Sequence, residues 1–416
     1  MKKIRDYNLV IVSQKGERWL SSGHPWVYSS DVVNVKNITG NETENGDIVD
    51  VVSQKGKYIG TGFYNKISKI AVRIISTNAN DTFNSSFWRR RVNYAVEYRL
   101  SVMPHDNIDA FRVIFGESDG FPGLTVDLFH NILSVQSLSY GIEKNKDIIY
   151  PIIIETLEEK GFEISGLYER NDVAIRELEG LREYKGWYNF SNKRNQAEPK
   201  VEITENGIKY LVDIENGQKT GFFLDQKFNR LSVAKIAKGK KVLDCFTHTG
   251  SFALNAAFGG AEHVTAVDVS KSALDMAKHN AQLNGLSDKI EFIKADVFDF
   301  LPALIDKGGH PFDFIILDPP AFTKSRKTAF NAEKGYKEIN YRAMKLLPLG
   351  GYLATASCSH FMPHARFEKM LISAASDAKV KLKQIEVKQQ GTDHPVMWNV
   401  PETDYLKFYI FQIVDF

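Results

Sequence analysis

Hydrophobic and polar positions alternate in short runs over the first 75 residues. The runs GDIVDVV, KYIGTGFY and KIAVRII follow one another closely, and turn signals stand at Asn45-Gly46-Asp47 and Lys55-Gly56-Lys57. Short alternating runs at this spacing are typical of a small β-barrel or sandwich. The pattern therefore predicts a β-rich domain over residues 1–75.

The pattern over residues 76–195 mixes helical and strand periods. Trp88, Val92, Ala95 and Val96 have the spacing of one face of an amphipathic helix. Strand-like runs follow in FRVIFGESDGFPGLTVDLF and NILSVQSLS, and a second helical run follows in KDIIYPIIIETLEEKG. The order of these runs predicts an α+β middle domain.

The pattern changes again at about residue 196. Asn206-Gly207 lies between two alternating runs, which is a strong signal for a two-residue β-hairpin. Strand-like and helical runs then alternate to the end of the chain, which indicates βαβ units on a parallel, twisted sheet. The last two strand-like runs, KLKQIEV and LKFYIFQIV, have no helical run between them and are expected to end the sheet as a hairpin. Residues 196–416 are thus predicted to form an α/β domain with a Rossmann-like sheet.

Composition narrows the class of protein. The chain has 416 residues, 43% of them hydrophobic and 25% charged, which suits two or three globular domains. No apolar run approaches the roughly 18 residues of a membrane-spanning helix. The two cysteines lie far apart, and no C-x-x-C pair suggests a metal site. We therefore expect a cytoplasmic protein without a resident metal or a membrane partner, either a monomer or a homodimer.

The distribution of charge gives a weaker indication of the binding partner. The formal net charge is +2, but Arg89, Arg90 and Arg91 follow one another at the start of the first predicted helix. One interpretation is a solvated helix face, which is common on protein surfaces. The other is a contact with a polyanion such as RNA, and on it these three arginines are candidate substrate-binding residues.

Acidic residues follow the first four predicted strands of the α/β domain. Asp244, Asp268, Asp296 and Asp318 each end such a strand, and Gly250 lies in the turn after the first one. Open α/β sheets bind ligands at this edge, and a single glycine does not make the G-x-G-x-x-G turn that a pyrophosphate needs. Each aspartate taken alone could simply cap a helix. Taken together, they predict a nucleoside ligand with a cationic tail, which describes S-adenosylmethionine.

The same strings carry a family resemblance. VLDCFTHTGSFALNAA, AVDVSKSALDMAKHNAQLNG and DPPAF resemble the cofactor motifs of class I S-adenosylmethionine-dependent methyltransferases. With GHPWVYSSDV, GESDGFPGLTVD and NGQKTGFFLDQKFNR, the whole chain is similar to the bacterial ribosomal RNA large-subunit methyltransferase I family. That resemblance implies an RNA-binding PUA domain at 1–75, a middle domain at 76–195 and a methyltransferase domain at 196–416. It also implies 5-methylcytosine in 23S ribosomal RNA as the product.

The resemblance also implies which residues border the cofactor. They lie before the sheet and at the ends of its first four strands. They are Gln226, Asp244, Phe246, Thr249, Gly250, Ser251, Asp268, Val269, Ser270, Asp296, Val297, Asp318 and Pro319.

C5 of cytosine is a weak nucleophile, and a thiolate that adds to C6 would make it electron-rich. Cys358, between two serines at the end of the fifth strand, resembles the nucleophile of RNA cytosine-5 methyltransferases. Asp318 is the second candidate catalytic residue, and Pro320 and Phe322 are candidates for contact with a flipped-out base. A free cysteine is more often a small buried hydrophobe, and this is the expected role of Cys245.

The chain differs from RNA cytosine-5 methyltransferases at one position, and two alternative functions stay open. Many RNA cytosine-5 enzymes carry a second cysteine in the fourth-strand motif, where this chain has Ala321, so the base for the C5 proton is Asp318, a water, His248 or His360. The DPPAF string also resembles the [DN]-P-P-[YF] signature of base-amino methyltransferases, and related rRNA enzymes modify guanine without a thiol. An RNA-binding ribosome assembly factor with a vestigial methyltransferase fold is the alternative from another class.

Overall fold

The structure, a computed structural model, describes residues 5–105, 108–189, 198–322 and 329–415. Internal contacts divide the chain into two compact units. Unit 1 comprises Met1–Ile203, Val212–Leu224 and Thr392–Thr403, and unit 2 comprises Thr204–Leu211, Asp225–Gly391 and Asp404–Phe416. The predicted boundary between residues 195 and 196 lies outside the described ranges, so the three-section division stays a prediction.

The first sheet of unit 1 is the β-rich region expected from the N-terminal pattern. Its strands pair in the order β2-β6-β5-β4-β1-β3, with buried Val10, Val49 and Val72 in its core. A short helix, α1 (Gln14–Ser21), was not predicted; it begins where Ser13 Oγ accepts a 3.1 Å hydrogen bond from the Gly16 amide. The strands are β1 (Leu9–Val12), β2 (Trp26–Tyr28), β3 (Val32–Lys36), β4 (Ile48–Ser53), β5 (Tyr58–Tyr64) and β6 (Ile70–Ser76).

The second sheet of unit 1 forms the α+β middle region. Its order is β11-β10-β9-β8-β7, from strands β7 (Ala110–Phe115), β8 (Leu124–Phe129), β9 (Ile132–Ser137), β10 (Gly166–Asn171) and β11 (Tyr184–Trp187). The two predicted helices are α2 (Ser85–Val102) and α3 (Tyr140–Glu159). Trp88, Val92, Ala95 and Val96 are all buried, which confirms the apolar face of the first helix.

The predicted hairpin consists of β12 (Lys200–Glu205) and β13 (Ile208–Asp213). Asn206 and Gly207 both adopt positive φ angles, 53° and 77°. Two successive residues at positive φ are what the favoured two-residue hairpin turn requires, and Asn-Gly tolerates this at the lowest cost.

Unit 2 is built around a seven-stranded sheet in the order β16-β15-β14-β17-β18-β20-β19. Five strands are parallel, and β20 is antiparallel to both of its neighbours. The strands are β14 (Lys241–Cys245), β15 (His263–Asp268), β16 (Ile290–Lys294), β17 (Phe314–Leu317), β18 (Tyr352–Ser357), β19 (Lys381–Lys388) and β20 (Lys407–Val414). The helices are α4 (Lys227–Ala237), α5 (Ser251–Phe258), α6 (Lys271–Leu283), α7 (Val297–Lys307), α8 (Ala329–Leu346) and α9 (His364–Ala378).

This strand order fixes where a ligand can bind. The order reverses between β14 and β17, and open α/β sheets bind ligands beyond the carboxyl ends of the strands at such a point. The α/β class and the Rossmann-like sheet expected from the sequence are confirmed. The final pair does form an antiparallel hairpin, but β20 lies inside the sheet and β19 at its edge.

Candidate active site

The turn after β14 carries three residues at positive φ. Gly250 has φ 83°, and the non-glycine residues Phe246 and His248 have φ 64° and 51°. A non-glycine residue in this region is strained, and such strain concentrates at functional sites. Gly250 has a second constraint, since a Cβ at this position would lie 2.9 Å from the Cβ of Ala277. The turn therefore holds its conformation against local preference, directly before α5 begins at Ser251.

Asp244 is the most perturbed carboxyl group at this edge. Its side chain is fully buried, and this burial, together with the nearby Asp318 and Asp268 charges, raises its pKa to about 7 although two hydrogen bonds lower it. Asp244 Oδ2 accepts hydrogen bonds from Thr247 Oγ1 at 2.5 Å and from the Ala253 amide at 2.9 Å. The pairing of β14 with β15 and with β17 brings the three strand ends together, as the sequence predicts.

Two buried oxygen atoms at this turn indicate where a ligand could bind. Asp244 Oδ1 and Thr249 Oγ1 are buried and have no hydrogen-bond partner within the described part of the chain. A buried polar atom without a partner is costly, so a bound group that donates hydrogen bonds would stabilise the turn. A carboxylate with one open oxygen also suits a positive charge. Both features fit the cationic amino-acid tail of S-adenosylmethionine.

Asp268 is held by two backbone amides. Its Oδ2 accepts from the His248 amide at 2.9 Å and its Oδ1 from the Ser270 amide at 2.8 Å. Ser270 Oγ in turn accepts from the Ala273 amide and begins α6, while Val269 between them is 66% exposed. The carboxylate is thereby fixed at the sheet edge, where its remaining lone pairs can accept hydrogen bonds from ribose hydroxyls.

Asp296 and Val297 have clear structural roles. Asp296 Oδ1 accepts a 2.8 Å hydrogen bond from the Phe298 amide and caps α7. Val297 is 2% exposed and packs in the core of unit 2. The helix-cap interpretation of a strand-end aspartate is thus realised at Asp296, and its predicted contact with the cofactor stays a prediction.

Gln226 connects to the DPPAF segment through its side-chain amide. Gln226 Nε2 donates a 2.9 Å hydrogen bond to Asp318 Oδ1. The resemblance placed Gln226 beside the cofactor, and the structure places it beside the candidate catalytic carboxylate. Pro319 is buried and Pro320 exposed in the turn that follows.

Phe322 belongs to an aromatic cluster. Its ring centroid lies 4.7 Å from that of Tyr336, 5.7 Å from Phe298 and 6.3 Å from Phe246. Tyr336 on α8 is fully buried; burial raises its pKa, and the neighbouring Cys358 and Asp318 add to the effect. Tyr336 therefore lies against both candidate catalytic segments. Sequence reasoning missed it, because a tyrosine on an amphipathic helix reads as a core residue.

The two thiols have different environments. Cys245 is completely buried, and burial raises its pKa well above the usual value for a thiol. Cys358 is partly exposed and directly follows β18, with Ser357 and Ser359 buried on either side. Cys358 is thus the thiol that a substrate could reach.

Lys407 lies beside this cysteine and was not identified from the sequence. It is the Cα partner of Ser357 in the β18–β20 pair, and its ammonium donates to the carbonyl oxygens of Ser359 and Tyr405, each at 2.7 Å. The side chain is buried, which lowers the pKa of Lys407 to about 8, although the Cys358 and Asp404 charges raise it.

The three predicted RNA-contacting arginines lie in unit 1 and all have protein partners. Arg89 pairs with Glu155 and Glu159, and Arg90 pairs with Asp81. The half-buried Arg91 donates to the carbonyl oxygens of Ile75 and Gly120. Their contact with RNA stays a prediction.

Two features are absent from the described residues. Over those residues, no group of three or more His, Cys, Asp or Glu side chains is placed to hold a metal ion. Among the same residues, none of the helices combines the length and the apolar character needed to cross a bilayer.

Comparisons with known proteins agree with this architecture. Residues 10–77 match a PUA-like domain family, and residues 193–395 match a family of S-adenosylmethionine-dependent methyltransferases. Two solved structures cover 97% of the chain at 22% identity, and these likenesses concern the fold. One is an S-adenosylmethionine-dependent methyltransferase from Streptococcus mutans with a TM-score of 0.79, and the other is a methyltransferase complexed with SAH with a TM-score of 0.82.

Curated relatives are similar over almost the full length. Ribosomal RNA large subunit methyltransferase I of Klebsiella pneumoniae (strain 342) is 38% identical over 400 residues, which is 96% of each chain. The protein of the same name from Aeromonas salmonicida (strain A449) is 40% identical over 94% of this chain and 96% of its own. The chain therefore belongs to the ribosomal RNA large subunit methyltransferase I family and is an S-adenosylmethionine-dependent methyltransferase.

Proposed function

We propose that the protein methylates C5 of a cytosine in large-subunit ribosomal RNA through a covalent adduct with Cys358. The observation that carries the proposal is the position of the Cys358 thiol. It is the partly exposed one of the two thiols, and it follows β18, the strand beside the one that ends at Asp318. A nucleophile and an acidic group on neighbouring strand ends are what a C6 adduct requires.

The chain's own groups have distinct tasks in this reaction. The Cys358 thiolate forms a bond to C6, and the electron pair of the C5–C6 double bond moves toward C5. Asp318 holds the N3–N4 edge of the ring, and the hydrogen bond from Gln226 keeps that carboxylate in place. S-adenosylmethionine supplies the electrophilic methyl group. Loss of the C5 proton and breakage of the C6–S bond then restore the aromatic ring and the free thiolate.

The RNA partner is part of the same proposal. It is supported by the names of the curated relatives and by the PUA-like match over residues 10–77. Arg90 is exposed and Arg89 is partly exposed, and solvent-accessible ion pairs contribute little stability, so phosphate groups could replace their carboxylate partners. Arg91 is tied to backbone carbonyls and has less freedom to do so.

The DPPAF segment also supports base-amino methylation, which needs no thiol. An assay with RNA tritiated at C5 of cytidine separates the two chemistries. We expect tritium release that depends on S-adenosylmethionine, its loss in Cys358→Ala, and its retention in Cys245→Ala, the control for loss of a thiol. Methyl transfer without tritium release, or near-normal release by Cys358→Ala, would rule out the adduct. Failure to bind S-adenosylmethionine in calorimetry would instead support the assembly-factor alternative.

A further inference from the structure

Lys407 is a buried cation that the proposed reaction does not yet use. It is 2% exposed, and among the residues that the structure describes its ammonium has no carboxylate within salt-bridge distance. A buried lysine without an ion-pair partner is costly. Such a residue commonly marks a site where its proton or its charge is needed.

Two carbonyl oxygens orient the Lys407 amine toward the turn that contains Cys358. The Ser359 and Tyr405 carbonyls each accept from Nζ at 2.7 Å. Ser359 directly follows Cys358, and Ser357 before it is the register partner of Lys407. An ammonium has three N–H donors, and the two carbonyls use two of them. The third remains for a nearby anion, and Cys358 is close enough to Lys407 for an electrostatic effect.

The neighbouring charges allow this arrangement. Asp404 precedes β20 and favours the charged form of Lys407, and His364 of α9 lies 3.5 Å from that aspartate. Tyr336 lies close enough to both Cys358 and Asp318 for their charges to act on it. Because Asp318 is acidic, a thiolate at Cys358 needs a cation nearby, and Lys407 supplies one.

We propose that Lys407 is the positioning residue that stabilises the thiolate of Cys358 as an ammonium–thiolate pair. The S–H bond breaks, its electron pair stays on sulfur, the proton leaves to water, and the ammonium already present at Nζ balances the new negative charge. The ion pair keeps Cys358 ionised before it adds to C6. It forms again when the C6–S bond breaks and the thiolate is released. This inference rests on the proposed function, but the ionisation of Cys358 can be measured without RNA.

The experiment follows alkylation of Cys358 by iodoacetamide in the full-length protein as a function of pH, read by peptide mass spectrometry. Cys245 is buried and gives a separate peptide. In Lys407→Met the midpoint of the profile should rise by about one to three pH units, the scale of a lost opposite charge, while Lys407→Arg should keep a low midpoint. Lys383→Met removes an exposed lysine of β19 and should match the wild type. Superimposable profiles of wild type and Lys407→Met would overturn the proposal, since a merely structural lysine would not move them.

A second measurement keeps the proposal testable if the Lys407 variants do not fold. The difference in thiolate absorbance near 240 nm between wild type and Cys358→Ala should develop below about pH 8.5, the usual pKa of a thiol. A difference that develops only above that value would overturn the proposal. The two proposals fail separately: normal turnover by Cys358→Ala removes the adduct mechanism whatever the alkylation profile, and an unmoved profile with an inactive Cys358→Ala removes only the role of Lys407.

Discussion

Gln226 and Asp318, which are 92 residues apart in sequence, are joined by a 2.9 Å hydrogen bond from Nε2 of the amide to Oδ1 of the carboxylate. Asn229 fixes the direction of this bond, because its Nδ2 donates to Gln226 Oε1 at 2.6 Å and leaves Nε2 to face Asp318. The segment before α4 therefore positions the first residue of the DPPAF string.

Replacement of Gln226 by leucine should slow methyl transfer. The variant removes a hydrogen bond to a charged group, so we expect turnover to fall roughly ten- to hundredfold. Gln226→Glu should be at least as impaired, because a second carboxylate would face Asp318. Single-turnover rates test both, with exposed Gln282→Leu on α6 as the control. A wild-type rate for Gln226→Leu would mean that Asp318 needs no support from this amide.

Replacement of Asp268 by alanine should weaken binding of S-adenosylmethionine. We expect a loss of about 1–3 kcal/mol in binding free energy, the scale of a lost charged hydrogen bond. The variant also removes the acceptor for the His248 and Ser270 amides, so the turn after β14 should loosen. Calorimetry measures the dissociation constant, and Asp275→Ala removes an exposed carboxylate from α6 as a control. An unchanged constant would exclude Asp268 from the site.

The carboxylate cluster could be predicted from the sequence because it follows from topology. Parallel strands bring their carboxyl ends to one edge, so Asp244, Asp268 and Asp318 had to lie together once the βα alternation was recognised. The same argument does not decide what each carboxylate does. Asp296 accepts a hydrogen bond from the Phe298 amide and caps a helix, and the sequence does not distinguish this role from contact with the cofactor.

Lys407 and Tyr336 could not be found in the same way. Lys407 reaches the site because β20 enters the sheet antiparallel beside β18, and no motif marks that register. Tyr336 reaches it from α8, where its spacing is that of any core residue. Residues that contribute through tertiary packing carry no local pattern, whereas strand-end residues do.

Gly250→Ala should destabilise the protein more than a matched glycine replacement. Gly250 and Gly285 both have positive φ, 83° and 63°, but a Cβ at Gly285 would meet no atom within 4 Å. Alanine at either position has the strain of the left-handed region, about 1–2 kcal/mol, and only at Gly250 does it also crowd Ala277. Thermal unfolding should show a larger fall in Tm for Gly250→Ala. Equal falls in Tm for the two variants would indicate that α6 moves away from the new Cβ without a loss of stability.

The raised pKa of Asp244 predicts how cofactor affinity depends on pH. In the folded, ligand-free protein the pKa is about 7, against 3.8 for an unperturbed aspartate, so between these values the folded state holds a proton that the unfolded state has lost. This group's contribution to the free energy of unfolding is present at low pH and is lost as pH rises through 7.

The affinity for the cofactor should change with pH in the opposite direction. A cationic ligand prefers the ionised form of Asp244, and the sulfonium keeps its charge at every pH, so binding should become up to roughly tenfold tighter from pH 6 to pH 8. Burial lowers the pKa of nearby His248, and the charge of Asp268 opposes this effect. Asp244→Asn should bind more weakly at pH 8 and lose the dependence. Calorimetry at several pH values tests this prediction. If Asp244→Asn kept the wild-type change of cofactor affinity with pH, another titrating group would be responsible for it.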